Sequence, residues 1–111
     1  MLRNATGIFL ALIALVYCGT ASADADEVAL TIRNNRFEPA ELHVPAGRKL
    51  RLVVRNLDAG PEEFESFELN REKVVAPGGD AKIYVGPLEP GRYPFFGDFH
   101  QATARGTLIA E

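Results

Sequence analysis

Turn-forming clusters interrupt this sequence roughly every eight to twelve residues, and that spacing restricts the chain to an antiparallel sandwich or barrel. The segments between the turns are short and alternate apolar with polar residues, which is the period of a half-buried strand. Val28, Leu30 and Ile32 alternate with Ala29, Thr31 and Arg33 until Asn34-Asn35 breaks the run. Phe37-Glu-Pro39 reads as the start of a turn, with Pro39 biasing Glu38 away from helix. Glu41–Val44 is a short strand closed by Pro45-Ala-Gly47. Leu50, Leu52 and Val54 alternate with Arg51, Val53 and Arg55 in the clearest strand of the chain, and Asn56–Pro61 is loop chemistry throughout. Phe64–Leu69 reads as a strand, and Asn70–Lys73 as a turn or one turn of helix. Val74-Val75 then leads into the turn Ala76-Pro-Gly-Gly79. Ala81–Val85 is a strand, Gly86–Gly91 a loop, and Thr107–Ala110 the last strand. Neither an internal repeat nor a helical period stands out.

The first residues predict an address and not a fold. Arg3 precedes the apolar run Ile8–Tyr17, which is too short to span a bilayer comfortably, and Ala21-Ser-Ala23 is a small-residue cleavage pattern. Residues 1–23 therefore read as a secretory signal peptide, with an uncleaved anchor as the alternative. The bulky Tyr17 before Cys18 fits a lipidation box badly. The expected mature domain is 24–111, exported to the periplasm, with no insertion in the membrane after cleavage. Cleavage removes Met1, Cys18 and one basic residue, Arg3, so the formal charge moves from −3 to about −4. The mature chain then has no Cys to form a disulfide and depends on its hydrophobic core, with the small margin of a domain this size. Its mild acidity argues against nucleic acid or an anionic membrane as partner.

Chemistry concentrates in two stretches. Tyr93–Gly106 begins as an aromatic strand, turns at Gly97, presents Asp98 and His100, and returns through small residues. In a small sandwich, a loop between adjacent strands is where a metal would sit. The other stretch is acidic: Glu62, Glu63, Glu65, Glu68 and Glu72. Residues two apart on a strand share a face, so Glu63 and Glu65 point the same way, and with Phe67 on that face a carboxylate lies near apolar surface. Clustered carboxylates raise one another's pKa unless a cation joins them. The bland alternatives are a solvated acidic strand balanced by Arg71 and Lys73, an Asp98 that caps its turn, and a His100 bonded to a backbone carbonyl. His43 reads as a surface residue, and Tyr93, Phe95, Phe96 and Phe99 as core and loop packing. No nucleophile triad or phosphate loop appears, and Ser66 has no evident base.

The order of Phe37-Glu-Pro39, Leu42–Gly47, Leu50–Asn56, Ala76–Gly79, Leu88-Glu-Pro-Gly-Arg-Tyr93 and the Gly97–Gly106 loop resembles a cupredoxin across nearly the whole mature chain. Within that superfamily, Glu63-Phe-Glu65, Ala76-Pro-Gly78 and Leu88–Tyr93 resemble the EfeO-type cupredoxin-like domains found with bacterial iron-uptake systems. The resemblance implies an all-β, Greek-key β-sandwich of about seven to eight strands. It also places the blue-copper ligand positions of the family: the first His at or beside Glu62-Glu63, the Cys at Gly97, the second His at His100, and the Met at Ala104 or Arg105. Three of those four ligands are missing, and a blue-copper centre needs the thiolate.

What remains is a site of oxygen and one imidazole. The expected ligands are Glu63, Glu65, Asp98 and His100, with Glu62 in reserve. Such donors suit copper or iron, with Zn²⁺ and Mn²⁺ also compatible, and carboxylates favour Fe³⁺ over Fe²⁺. The leading expectation is a periplasmic cupredoxin-like protein that binds copper or iron and assists iron uptake alongside an iron permease complex and other periplasmic iron-uptake proteins. A metal-free interaction module of a membrane transport complex is the alternative. A true Fe²⁺ oxidase ranks last, because the chain supplies no evident electron acceptor.

Overall fold

A computed structural model describes residues 25–111; the signal-peptide reading of residues 1–23 lies outside the described residues. Two sheets face each other. The first has the strand order β2-β1-β4-β7, from β1 (Asp26–Arg33), β2 (Arg36–Glu38), β4 (Leu50–Asn56) and β7 (Asp80–Val85). The second has the order β3-β9-β8-β5-β6, from β3 (Glu41–Val44), β5 (Glu62–Ser66), β6 (Arg71–Val75), β8 (Gly91–Gly97) and β9 (Arg105–Ala110). A single 3₁₀ turn, Asp98–His100, lies between β8 and β9. β1–β4 and β3–β9 pair parallel and the other pairs are antiparallel, so both sheets are mixed. Among the described residues, no helix is long and apolar enough to cross a membrane.

Side-chain alternation sorts the strands into a sandwich. Leu30, Ile32, Leu50, Leu52, Val54, Ala81, Ile83 and Val85 face inward from the first sheet. Leu42, Val44, Phe64, Val75, Phe95, Leu108 and Ala110 meet them from the second. The largest side chains gather near one end, where Phe95 stacks on Phe64 at 5.2 Å and Phe37 meets Phe95 edge-on at 5.0 Å. Offset and edge-on pairs of this kind are favourable beyond the area they bury. Gly106 makes room for them, because a Cβ there would lie 2.5 Å from Phe95 Cζ and 2.9 Å from the Ala40 carbonyl oxygen.

The all-β sandwich is as expected, with nine strands among the described residues. The differences lie at its edges. Arg36–Glu38 is a strand and not the opening of a turn, because Asn34 and Asn35 close a two-residue hairpin with φ of 53° and 58°. Positive φ at both central positions matches the twist of paired strands, and Asn tolerates it. Arg71–Val75 is likewise a strand, paired residue for residue with β5. Its polar sequence hid it, since an edge strand exposes both faces. β5 begins at Glu62 and ends at Ser66, so Phe67 lies past the strand, 73% exposed, with its ring edge-on to Phe96. His43 is exposed as expected and bonds the Glu111 carboxylate at 2.9 Å. Ser66 is buried, donates to the Pro94 carbonyl and accepts from the Leu69 N–H, a structural use of its hydroxyl.

Phe95→Ala is expected to cost about 3–5 kcal/mol of unfolding free energy, the usual range for a buried Phe. Gly106→Ala is expected to destabilise through the same ring. Urea denaturation followed by circular dichroism checks both, and an unchanged midpoint in either variant would contradict this packing.

Candidate metal centre

The alternation of β5 splits the acidic stretch between two environments. Glu62, Phe64 and Ser66 point inward, and Glu63 and Glu65 point outward. Glu62 is 1% exposed. A buried carboxylate requires partners, and the loop after β8 supplies them. The Phe99 N–H donates to Oε1 at 2.9 Å, and the Glu63 N–H donates to the same oxygen at 3.0 Å. His100 Nδ1 lies 2.7 Å from Oε2. The 3₁₀ turn is held in place by Ala104, whose N–H donates to the His100 carbonyl at 2.8 Å and whose own carbonyl accepts from Gly97 N–H at 2.8 Å.

Two further loops brace this end of the sandwich. Asn56, buried, donates to the Gly60 and Val75 carbonyls and accepts from the Asp58 N–H. Asp58 in turn accepts both N–H groups of the Asn34-Asn35 hairpin, at 2.8 and 2.9 Å. Thr103 donates its hydroxyl proton to the Asn35 carbonyl at 2.6 Å.

The positions that the cupredoxin resemblance assigns to copper do converge here, with Ala104 and not Arg105 at the fourth. They do not fit a blue-copper centre. There is no thiolate or thioether, and the space such a centre needs is filled by protein. A Cβ on Gly97 would lie 2.5 Å from Glu62 Cδ, 2.7 Å from its Oε2, and 2.7 Å from Ala104 Cβ. Glu62 thus stands in the middle of the old ligand set with both oxygens engaged.

Outside, a second group forms. Glu63, Glu65 and Glu72 each place a carboxylate oxygen within 4.8 Å of the others. Glu65 and Glu72 are directly opposite on β5 and β6, where like charges oppose pairing. Partial desolvation raises the Glu63 pKa above its ordinary value, helped by the nearby charges of Glu72, Asp98 and Glu65. Glu65 is raised for the same leading reason, then by Glu72 and Asp98. Asp98 therefore borders this group, and its Oδ1 accepts from Gln101 Nε2 at 2.8 Å. Arg71 does not neutralise it, because its guanidinium serves the Tyr84 and Asn70 carbonyls.

Of the expected ligands, Glu63, Glu65 and Asp98 come together on the outer face. His100 and Glu62 form a separate pair one layer inward, with His100 Nε2 left uncommitted by that bond. Glu72, named in the acidic stretch but not among the expected ligands, belongs to the outer group; its place there was missed because its strand was not recognised. Phe99 is 48% exposed beside the turn and is not core.

The model of the family described as a cupredoxin-like domain matches residues 6–110. An uncharacterised protein of Rickettsia prowazekii is 42% identical over 106 residues, covering 92% of this chain and 85% of that protein. The iron uptake system component EfeO of Yersinia pestis is 33% identical over 76 residues, 65% of this chain; the aligned part spans 20% of that protein's length. Among solved structures, reduced auracyanin of Roseiflexus castenholzii superposes with a TM-score of 0.67 at 16% identity, over 78% of this chain and 98% of its own. The metal binding domain of the Cu(I)-exporting P-type ATPase CopA of Streptococcus pneumoniae, solved with Cu(I), gives 0.64 at 14% identity, over 77% and 84%. At such identities these two structures speak for the fold.

Removing the inner carboxylate strands two backbone donors and an imidazole. Glu62→Ala is therefore expected to cost about 3 kcal/mol or more, and Glu62→Gln less, because its amide oxygen still accepts from both N–H groups; urea denaturation ranks them. The outer group gives a pH signature. An acid whose folded pKa is raised holds its proton longer when folded, so its contribution is most favourable below the unfolded pKa and is lost as pH rises through the folded one. In chelator-treated protein, Glu63→Gln is expected to stabilise more at pH 7 than at pH 4, and a pH-independent difference would contradict the clustering.

Proposed function

Because the chain belongs to the cupredoxin-like domain family, we propose that it is a periplasmic metal-binding protein, for copper or iron, that assists a bacterial iron-uptake system without a blue-copper centre. In this reading residues 1–23 direct export and are removed, and residues 24–111 are the working domain. The observation that carries it is the outer carboxylate group, Glu63, Glu65 and Glu72, three oxygens close enough to share one ion. Their mutual repulsion, with Asp98 beside them, is relieved by a cation. Oxygen donors of this kind suit a hard or borderline ion, and iron as cargo is consistent with the name of the Yersinia pestis relative.

Glu63, Glu65 and Asp98 are the proposed ligands, with Glu72 completing the set. His100, outside the trio of oxygens, is the proposed imidazole ligand through Nε2, and Glu62 acts behind it: a carboxylate on the opposite ring nitrogen fixes the tautomer and the orientation of the ring. An iron permease complex of the inner membrane is the proposed partner. The protein binds and hands over the ion and is not an oxidase in this reading.

The saturated inner pair favours a second reading, a metal-free module that kept the sandwich and replaced the ion with Glu62. Calorimetric titration of the purified protein with Cu²⁺ and Fe³⁺ separates the two. Saturable binding of at least one ion is expected, weakened in Glu63→Ala and Glu65→Ala, and about 10–100-fold weaker in Glu62→Gln through its effect on His100. No saturable binding of either ion would overturn the metal reading and leave the module.

A further inference from the structure

The far end of the sandwich carries charge of the opposite sign. β4 runs from Leu50 at that end to Asn56 near Glu62, about 20 Å at the usual strand rise, and on β6 the cleft's Arg71 is the chain neighbour of Glu72. The start of β4, the end of β7 and the start of β6 enclose a cleft of about 620 Å³, within the size range of small-molecule sites. Lys49, Arg51, Arg71 and Tyr84 line it, over a floor that includes Leu50 and Val85. Three cations around one cleft stand out in a chain of net charge −3.

Their hydrogen bonds are partly spent. Arg71 is fixed by its backbone acceptors, Nε donating to the Tyr84 carbonyl at 2.8 Å and Nη1 to that of Asn70 at 2.9 Å. Its Nη2 is not used in these bonds. Arg51 lies between Glu27 of β1 and Tyr84 of β7 in the strand register and donates from Nη2 to the Glu27 carboxylate. Its Nε is buried and has no hydrogen-bond partner among the described residues, a costly state for a donor. The neighbouring carboxylate of Asp26 is occupied by Arg48. Glu27 therefore offsets one of the three cations and leaves two.

We propose that this cleft binds a small oxyanion carrying two or more negative charges, a phosphate or a polycarboxylate. Lys49 and Arg71 flank the ligand, Arg71 offering its Nη2, and Arg51 adds its charge to the lining. A guanidinium already pinned by two carbonyls loses little freedom on binding, and its planar fork suits an oxyanion. The proposal does not rest on the metal reading, because no residue is shared, although Glu72 neighbours Arg71 on β6.

Metal-free protein is titrated separately with inorganic phosphate and with citrate in physiological salt, by calorimetry and by backbone amide shifts. At least one anion is expected to saturate below about 1 mM, with shifts at Lys49–Arg51 and Tyr84–Gly86. Saturation by phosphate alone or citrate alone identifies the headgroup class. Lys49→Gln and Arg71→Gln are each expected to weaken binding about tenfold, whereas Arg33→Gln, an exposed cation lost at the other end of β1, leaves it unchanged. Lys49 is exposed, so its variant tests the cleft even where Arg71→Gln fails to fold. Absence of saturation with both anions, or affinity unchanged by Lys49→Gln, would overturn the proposal.

Discussion

A carboxylate buried between two sheets determines how this end of the molecule is built. Glu62 sits where water cannot solvate it, and a charge in that position must be met by donors or leave. The two N–H groups and the imidazole that meet it come from β5 itself and from the turn after β8. One side chain thereby joins residues 38 apart in sequence. The turn that presents Asp98 outward is held from within by the same bonds. The arrangement of the outer carboxylates, and any chemistry they do, rests on that inner anchor.

Charge and packing divide labour by strand alternation. On β5, inward positions go to the core and the anchor, and outward positions go to acids that repel one another. The bracing of the loops by Asn56 and Asp58 lets this surface stay strained without loosening the scaffold, because those bonds do not involve the acidic group. Rigid support behind an electrostatically unfavourable surface is a common arrangement for a binding site.

Much of this was written in the alternation. β1, β4 and β7 show an apolar face that survives any reading, and the sandwich follows from them. β6 did not, because an edge strand with four exposed residues out of five carries no such period. Glu72 was read as part of the acidic stretch and not as a ligand, since its position opposite Glu65 follows from the strand register. β2 was hidden by a hairpin that closes on two asparagines and not on glycine. For Glu62, the period-two rule already separated it from Glu63 and Glu65. Its inward role required knowing that a distant turn would offer donors to it, which no local pattern records. The cleft around Lys49, Arg51 and Arg71 is of the same kind, assembled from three strands that are neighbours only in space.

The close approach of Glu62 to Gly97 also constrains which sequences are reachable from this one. Any side chain at position 97 collides with the carboxylate. Shortening the residue at 62 removes that collision, leaves the 2.7 Å approach to Ala104 Cβ, and abandons the groups that were bonded to Glu62. Positions 62, 97 and 104 are therefore coupled. A thiolate at position 97 is therefore not reached from this sequence by single tolerated steps.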